Sequence, residues 1–408
     1  MPAPTGGSVA GAPRATSRRA LGFIFAAVFL DLLGVGILIP VIPFLVLQFT
    51  PSALAVGLLA LSYSLAQFGA APLLGRLSDR VGRRPVLVMS VLGSGVAYIV
   101  FGLATALWVM FAARIVDGLS GGNITAAQAY IADVSAPEDR AKNFGLIGAA
   151  FGLGFIVGPA LGGVLSQISL AAPAYAAGAM ALLTALFGIF VLPESLPATQ
   201  RNAAPLTVRD LNPLRPVAQA LAQPALRLLM LAVFASGFAS AELRTNFAVF
   251  TAGRFQMGPS ENALIFSFIG VVGLLVQGVL LRRLTSEFSE RGLTLTGLAI
   301  MVVGYLAVAF VPTVPLLYAA LALVSVGGGL STPTLTGLVS LNVGPTEQGA
   351  ALGAVQSLQS LTLIVGPVWA GAFFDHVSMG SPYWTAALWV LLALAAVLRT
   401  PAPRLRPT

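Results

Sequence analysis

Long apolar stretches separated by short polar segments dominate this chain. We identify twelve such stretches, each of roughly 18 residues or more, which is enough to cross a hydrocarbon core of about 30 Å as a helix. Their apolar residues do not alternate with polar ones, as the strands of a membrane β-barrel would require, so helices are predicted. The predicted spans are 20–48, 53–75, 85–104, 106–134, 142–167, 172–193, 225–252, 259–281, 292–311, 314–340, 348–374 and 382–399.

Composition agrees with lipid as the main solvent of this protein. Of its 408 residues, 57% are hydrophobic and 9% are charged, whereas an ordinary soluble domain has about 25% charged residues. The first apolar stretch follows a basic segment, as in a signal peptide, but it is too long for the apolar part of one. We therefore keep it as a membrane-spanning helix and expect an all-α membrane protein.

The basic residues are distributed unevenly across the twelve spans. Nineteen of the 22 Lys and Arg residues fall on one side, while Arg114 and Arg244 lie within spans and Arg254 lies on the other side. The positive-inside rule then places both termini in the cytoplasm. The net charge of +8 reflects this topology, so no nucleic-acid partner is expected. The preference for Arg over Lys suggests a GC-rich bacterial genome, and hence a multi-pass protein of the bacterial cytoplasmic (inner) membrane.

An internal repeat divides the chain into two halves. "GPALGG" at 158–163 corresponds to "GPVWAG" at 366–371, and the same offset pairs Gly145 with Gly353. Parallel repeats of this kind are typical of transporters whose halves rock around a central site. The expected segments are a disordered N-terminal tail at 1–17, a six-helix bundle at 18–193, a cytoplasmic linker at 194–224, a second six-helix bundle at 225–399 and a C-terminal tail at 400–408.

Three motifs resemble those of the major facilitator superfamily. "GRLSDRVGRRPVL" (75–87) resembles its signature loop, "RIVDGLSGG" (114–122) its fourth-helix motif, and "GAAFGLGFIVGPALGG" (148–163) the fifth-helix motif of its proton-coupled drug antiporters. The first span also resembles the tetracycline-resistance branch. The resemblance implies a fold of twelve transmembrane helices in two pseudo-symmetric six-helix bundles. The antiporter motif it implies comprises Gly148, Gly152, Gly154, Gly158, Pro159, Gly162 and Gly163.

The chain also departs from the tetracycline-resistance branch. That branch has further charges within its third, eighth and ninth helices, where this chain has Ala97, Gly273 and Met301. The machinery by which that branch handles its metal–drug substrate and its proton is therefore incomplete here. Either other carboxylates take over these roles or the substrate differs.

The charged loop after the second span is predicted to be a conformational latch. A glycine can allow close helix approach at its start and a positive-φ turn in its middle. We expect Asp79 to face a helix N-terminus and an arginine across the interface between the halves, so that the cluster closes the cytoplasmic side in one conformation and breaks in the other. The alternative, that the arginines only set topology, applies to some of them. The latch residues are Gly75, Asp79, Arg80, Gly82, Arg83 and Arg84.

Ionisable residues inside the spans are candidates for proton coupling, because charges there are costly and usually functional. Asp31 lies near the bilayer midplane, where desolvation favours its protonated form, so it could carry a proton or face a cationic drug. Arg114 and Asp117 are three residues apart on one helix and can pair; the pair could tune proton binding or be purely structural. Glu242 and Arg244 diverge by about 200° around their helix, so each needs another partner or must reach a cavity.

Polar and aromatic residues at helical spacing are expected to line a cavity near the midplane between the halves. The candidates for substrate binding are Tyr63, Gln67, Phe234, Phe238, Asn246, Gln277, Gln356 and Gln359. Together with the carboxylates, they predict an apolar and net acidic cavity. Such a cavity favours neutral or cationic lipophilic substrates.

Our leading hypothesis is a monomeric, proton-coupled efflux antiporter that exports amphipathic small molecules across the lipid bilayer. A facilitator or symporter of a small metabolite in the same fold is the alternative. An intramembrane enzyme is disfavoured, because one histidine and no cysteine leave little from which to build a catalytic cluster. A receptor would usually add a soluble sensing domain. We expect no cofactor and no metal site.

Overall fold

The computed structural model describes residues 14–121, 123–135, 139–201, 212–344 and 347–400. These residues form helices joined by short turns, with no strand among them. The helices are α1 (Arg14–Leu38), α2 (Ile42–Leu47), α3 (Ala53–Val81), α4 (Arg83–Gly102), α5 (Leu107–Ser120), α6 (Asn123–Val134), α7 (Arg140–Ser166), α8 (Ala172–Val191), α9 (Arg215–Ala222), α10 (Pro224–Phe255), α11 (Pro259–Leu275), α12 (Leu281–Leu284), α13 (Glu290–Phe310), α14 (Val314–Leu341), α15 (Gln348–His376) and α16 (Ser381–Arg399). A π-helical turn, Val276–Leu280, joins α11 to α12.

Helix α1 begins inside the tail that we expected to be disordered, at Arg14. Residues 1–13 and 401–408, which make up most of the two predicted tails, lie outside the described residues, as does the linker segment 202–211. The described part of the linker contains α9, which packs on α15.

Ten stretches of helix within the described ranges are long and apolar enough to cross a membrane. They correspond to ten of the twelve predicted spans. The other two spans are broken, so our expectation of a continuous helix was wrong there. The first span divides into α1 and α2 around Pro40, which lacks the N–H that a helix interior needs. The fourth divides into α5 and α6 beside Gly121, whose ψ of 26° leaves the helical region.

Close contacts between glycines bring α1 against α7 in the N-terminal half. A Cβ added at Gly158 would lie 2.7 Å from the Cα of Gly36, and one added at Gly154 would lie 3.0 Å from the Cβ of Leu32. Small residues let helix backbones approach closely inside a membrane, where van der Waals packing is the main attraction. In the C-terminal half, α10 packs against α15 and α16, and α13 packs against α14 and α16.

The two halves meet at the end of the bundle that lies opposite the arginine-rich loop between α3 and α4. We call this the closed end. A Cβ at Gly57 of α3 would lie 2.8 Å from the carbonyl carbon of Pro367 in α15, and one at Gly371 would lie 2.6 Å from the Cα of Leu54. The two backbones are therefore in direct contact. We call this contact between α3 and α15 the seam.

The carboxylate of Asp375 adds a polar contact to the seam. It accepts hydrogen bonds from the Ser52 hydroxyl (2.7 Å) and from the backbone N–H groups of Ala53 and Leu54 (3.0 Å each). These donors belong to the first turn of α3, where backbone N–H groups have no partner within the helix. A residue near the end of α15 thus caps a helix of the other half.

Helices α7 and α11 also meet at the closed end but diverge toward the other. Ser260 donates a hydrogen bond to the Gly163 carbonyl (3.0 Å), and Ser267 donates one to the Ile156 carbonyl (3.0 Å). Further along the same face of α7, a Cβ at Gly148 would meet no atom within 4 Å. The same is true of Gly273 on α11. Open space thus borders both helices toward the end that carries the arginine-rich loop, which we call the arginine-rich end, and we infer that a gap between the halves opens there.

Substitution of Gly57 is expected to loosen the closed end. In Gly57→Ala, the added methyl group has to displace the Pro367 backbone, and overpacking of this kind costs about 1–3 kcal/mol. Because the chain has no cysteine, spin labels can be attached at Phe49→Cys and Met379→Cys, on opposite halves. Their distance distribution should broaden toward longer values.

Gly69→Ala is the matched control, because a Cβ there on the same helix meets nothing within 4 Å. It should leave both the label distances and the melting temperature unchanged. Unaltered distances in Gly57→Ala would show that this backbone contact does not hold the halves together.

Candidate functional site

The ion pair predicted between Arg114 and Asp117 forms in the N-terminal half. An Nη1 atom of Arg114 lies 2.6 Å from an Oδ2 atom of Asp117, and both side chains are largely buried. The guanidinium also lies 4.0 Å from the centroid of the Tyr63 ring. Gln67 donates a hydrogen bond to the Tyr63 hydroxyl (3.0 Å). Helices α3 and α5 thus hold a connected polar cluster in the membrane interior.

Asp31 faces a cavity inside the N-terminal half rather than the gap between the halves. Its side chain is buried and lines a small cavity of about 30 Å³ between α1, α4, α6 and α8. Thr184 is the other polar side chain on a wall that is otherwise apolar. Tyr98, which sequence analysis did not select, lies within electrostatic range of both Asp31 and Asp117. The cavity that Asp31 lines is thus formed by helices of its own half.

Glu242 is fully buried in the C-terminal half. Thr385 of α16 donates a hydrogen bond to its Oε2 atom (3.0 Å), while its Oε1 atom has no partner among the described residues. One turn further along α10, Asn246 is also fully buried, and both polar atoms of its amide lack a partner. The hydroxyl of Tyr383 is unpartnered as well. An ionised Glu242 would have no counter-charge here, so this pocket suits a carboxyl group that holds its proton.

Arg244 points away from Glu242, as their spacing of two residues on one helix predicts. Its side chain is exposed although it lies about three helical turns before α10 ends. The guanidinium lies 5.5 Å from the centroid of the Phe155 ring on α7, in the other half. Arg244 therefore reaches the gap between the halves, whereas Glu242 points into the interior of its own half.

The structure places the predicted cavity residues in different environments. Gln277 and Gln356 are exposed, and Tyr63, Gln67, Phe234 and Gln359 are half-buried. Phe238 and Asn246, in contrast, are buried in the interior of the C-terminal half. The Phe238 ring centroid lies 4.7 Å from that of Trp389. These two residues thus face packed protein rather than the gap in this conformation.

Two buried tyrosines, Tyr98 and Tyr305, were not selected from the sequence, although the internal repeat relates them. Tyr98 and Tyr305 are 207 residues apart, which is also the offset between Gly121 and Gly328 in the two halves. Tyr98 lies within electrostatic range of Asp31 and Asp117, and Tyr305 lies within electrostatic range of both Glu242 and Arg244. Each half therefore places a tyrosine of the same repeat position within electrostatic range of its buried carboxylates. Comparison of polar residues across the repeat could have found this pair.

The charged loop forms its contacts with the N-terminal half and with Glu194 at the start of the linker, which corrects the expected latch geometry. Among the described residues, Asp79 pairs with Arg83, four residues along the same segment, and with no arginine of the other half. Arg83 also pairs with Asp133 at the end of α6 (3.1 Å). The carboxylate that caps the N-terminus of α4 is Glu194, which accepts the Arg83 N–H (2.8 Å). Asp79, Arg83 and Arg84 therefore make their polar contacts with α3, α6, α8 and Glu194.

The two glycines of the loop differ, and so do its arginines. Gly82 has a φ of 112°, which an L-residue rarely adopts, as predicted, whereas a Cβ at Gly75 would be 3.7 Å from Thr125, an ordinary contact distance that does not require a glycine. Arg84 donates to the carbonyl of Ile189, while Arg80 is exposed. The loop is thus a tight turn whose charges are largely satisfied within the N-terminal half.

The fifth-helix motif serves two interfaces. Gly154, Gly158 and Gly162 contact α1 of the same half, and Pro159 lies beside Gly36 in that contact. Gly163 contacts Ser260 and Ala263 of α11 across the halves, and a Cβ added at Gly152 would lie 3.8 Å from Leu274 of the other half. Gly148 lies on the open part of the same helix. Most of the motif therefore joins α7 to α1, and its remaining glycines border the gap.

Removal of Arg114 is expected to destabilise the protein by leaving Asp117 buried without its counter-charge. The loss of one member of a buried ion pair typically costs about 3–5 kcal/mol. Arg114→Leu should therefore lower the melting temperature in detergent. The double variant Arg114→Leu/Asp117→Asn should recover most of the loss, because neither charge remains. Additive effects of the two substitutions would show that the pair is not energetically coupled.

The sequence matches the family described as Major Facilitator Superfamily over residues 24–289 and 283–408. The chain is 34% identical over 391 residues to the tetracycline resistance protein, class C, of Escherichia coli, covering 95% of this chain and 97% of that protein. It is 27% identical over 380 residues to multidrug resistance protein 2 of Bacillus subtilis (strain 168), covering 92% and 93%.

Solved structures of transporters share the fold. The human organic anion transporter MFSD10 (TETRAN) aligns with a TM-score of 0.71 and 27% identity, covering 95% of this chain and 100% of that chain. A bacterial homologue of the human lysosomal transporter Spinster, in an inward-facing and unoccupied conformation, aligns with a TM-score of 0.73 and 16% identity, covering 95% of each chain. The protein described above is thus a multi-pass membrane transporter rather than an enzyme, and it belongs to the Major Facilitator Superfamily.

Proposed function

We propose that this protein is a proton-coupled efflux antiporter that exports lipophilic drugs by alternating access. The substrates would be tetracycline-like compounds or other amphipathic compounds. One observation carries the proposal: a gap sealed at one end and open at the other separates two halves, each of which buries ionisable groups. Relatives named for tetracycline and multidrug resistance support the drug class. The organic anion transporter among the similar structures leaves the charge of the substrate open.

The arginine-rich end is assigned to the cytoplasm. Arginines concentrate there at the ends of α3 and α12 and at the starts of α4 and α13, and the positive-inside rule places such segments on the cytoplasmic side. Both termini then lie in the cytoplasm, and the gap opens toward the cytoplasm in this conformation. A monomer suffices for this mechanism, because both halves belong to one chain.

Substrate would enter the gap from the cytoplasm or the inner leaflet. The halves would then rock about the gap, breaking the seam and the contacts of Asp375 with the start of α3. The arginine-rich loop would at the same time approach the other half, where Asp79 could exchange its partner. This motion uses two packed arrangements of the same helices and needs no large change within either half.

Protons would drive the cycle through the buried carboxyl groups. Asp117 is bound to Arg114, so protonation of Asp117 would release the arginine, and the pair can respond to proton binding. Glu242 has a free oxygen and no counter-charge, so it can hold a proton in one conformation and lose it when the pocket is hydrated. Asp31 is a third candidate, at the end of its own cavity.

Everted membrane vesicles test the coupling directly. With an acid interior reported by a quenched dye, added tetracycline should release protons in the wild type. Asp31→Asn, Asp117→Asn and Glu242→Gln remove the candidate carriers one at a time. At least one should reduce the proton release roughly 10-fold or more, which corresponds to about 1.4 kcal/mol in the coupled step.

Glu287→Gln is the control, because it removes an exposed carboxylate outside the spans, and it should transport like the wild type. Thermal unfolding of each purified variant separates loss of coupling from loss of fold. Substrate uptake without any proton release, in the wild type and in all variants alike, would instead support an uncoupled facilitator. Release by a metabolite but by no drug would favour a carrier of that metabolite.

A further inference from the structure

Arg244 has a position in the gap that the proposed cycle does not yet use. Three residues along one stripe of α10 define its surroundings. Ala241 packs against Gly366 of α15, and Phe247 packs against Phe266 of α11 with ring centroids 5.7 Å apart. Arg244 lies between these two contacts on the same stripe. Its side chain therefore leaves α10 between α11 and α15, which is the direction of the other half.

No carboxylate balances this charge within the described part of the chain. Glu242 contacts Thr385 on a different side of α10, and Asp117 is already paired with Arg114. The contact with Phe155 is an arginine–aromatic interaction, which stabilises a cation by only about 0.5–2 kcal/mol. The side chain thus carries a full charge into a region where isolated charges are costly.

This placement corrects the expectation of a net acidic cavity. That expectation counted the carboxylates, Glu242 among them, as groups facing the cavity, and it left open which of Glu242 and Arg244 reaches it. The structure turns the carboxylate inward and the guanidinium outward, so the charge that faces the gap from α10 is positive. Cationic substrates would be repelled by it, whereas an anionic group would be attracted.

We propose that Arg244 is the substrate-binding residue for an anionic group, so that the gap takes amphipathic organic anions or zwitterions. The proposal rests on the proposed function and narrows its substrate class. Suitable groups are a carboxylate, a sulfonate or the deprotonated enol of a tetracycline-like ring system. The apolar part of the substrate lies against Phe155 and the adjacent surface of α7.

The chemistry of the guanidinium suits this role better than that of an ammonium. It is planar, always charged, and presents N–H donors in a fork that matches two oxygens of one anionic group. Its face can remain on the Phe155 ring while its edge binds the anion. The same site therefore contacts the ring system and the acidic group of one molecule.

The position of Arg244 also links binding to the rocking motion. The residue belongs to α10 of the C-terminal half, and Phe155 belongs to α7 of the N-terminal half. When the arginine-rich end closes, water leaves the gap and the unpaired guanidinium loses its hydration. A bound anion removes this penalty, so closure is favoured when substrate is present and disfavoured when the gap is empty.

Two fluorescent probes with the same ring system and opposite charges test the proposal. Dansylglycine carries a carboxylate, and dansylcadaverine carries an ammonium group. Binding of each to purified wild-type protein in nanodiscs is followed by the emission of the dansyl group. The wild type should bind dansylglycine more tightly. Arg244→Gln should weaken that binding roughly 10-fold or more, as expected for loss of a charged hydrogen bond, and should leave dansylcadaverine binding equal or stronger.

Arg254→Gln is the matched control. Arg254 lies on the same helix, is exposed, and also contacts a phenylalanine ring, with 6.0 Å to the centroid of Phe250, but it sits at the closed end. The Arg254→Gln variant should bind both probes like the wild type. The Arg244→Lys variant should retain part of the affinity for dansylglycine. Thermal unfolding of each variant identifies any that fail to fold. Displacement of dansylglycine from wild-type protein by tetracycline provides a second readout that needs no variant.

The outcomes separate this proposal from proton-coupled efflux. Preference of the wild type for dansylcadaverine, or equal anion binding by wild type and Arg244→Gln, overturns the anion site even if vesicles release protons on drug addition. Anion binding that depends on Arg244 supports the site even if the vesicles show no proton release. In that second case it is the coupling, and not the substrate class, that is refuted.

Discussion

Contact between helix backbones from different halves at the closed end of the bundle determines the shape of the rest. Gly57 and Gly371 let α3 and α15 approach until main-chain atoms touch, and Ser260 and Ser267 tie α11 to backbone carbonyls of α7. In lipid such approach is the main source of attraction between helices, because apolar side chains gain little by leaving an apolar solvent. The halves can diverge only where this contact ends, which fixes the position and direction of the gap.

The two halves accommodate their charged groups within the membrane differently. The N-terminal half pairs Asp117 with Arg114 and surrounds the pair with polar side chains. The C-terminal half separates Glu242 from Arg244, hiding one inside the bundle and presenting the other to the gap. The repeat thus preserves the arrangement of helices, including the tyrosines Tyr98 and Tyr305, while the charged groups have specialised. We infer that proton handling and substrate recognition need not lie at equivalent positions.

Much of the fold could be predicted from the sequence, because apolar length specifies spans and i,i+3 spacing specifies the Arg114–Asp117 pair. The turn at Gly82 followed from the tolerance of glycine for positive φ. The direction of Glu242 could not be predicted, since spacing shows that two side chains diverge but not which one faces the gap. The contacts of Asp79 and Asp375 also depend on which end of the bundle is closed, a tertiary property without a local sequence signal.

The seam at the closed end has a consequence for how such a protein can evolve. Its contacting surfaces are main-chain atoms, which a mutation cannot replace, flanked by glycines that tolerate no larger side chain. A substitution at the seam therefore changes the rocking motion of the halves before it changes which substrate is transported. The walls of the gap have no such restriction, because open space surrounds positions such as Gly148 and Gly273. Descendants of this gene that come to transport new compounds should carry their changes along those walls and inherit the seam intact.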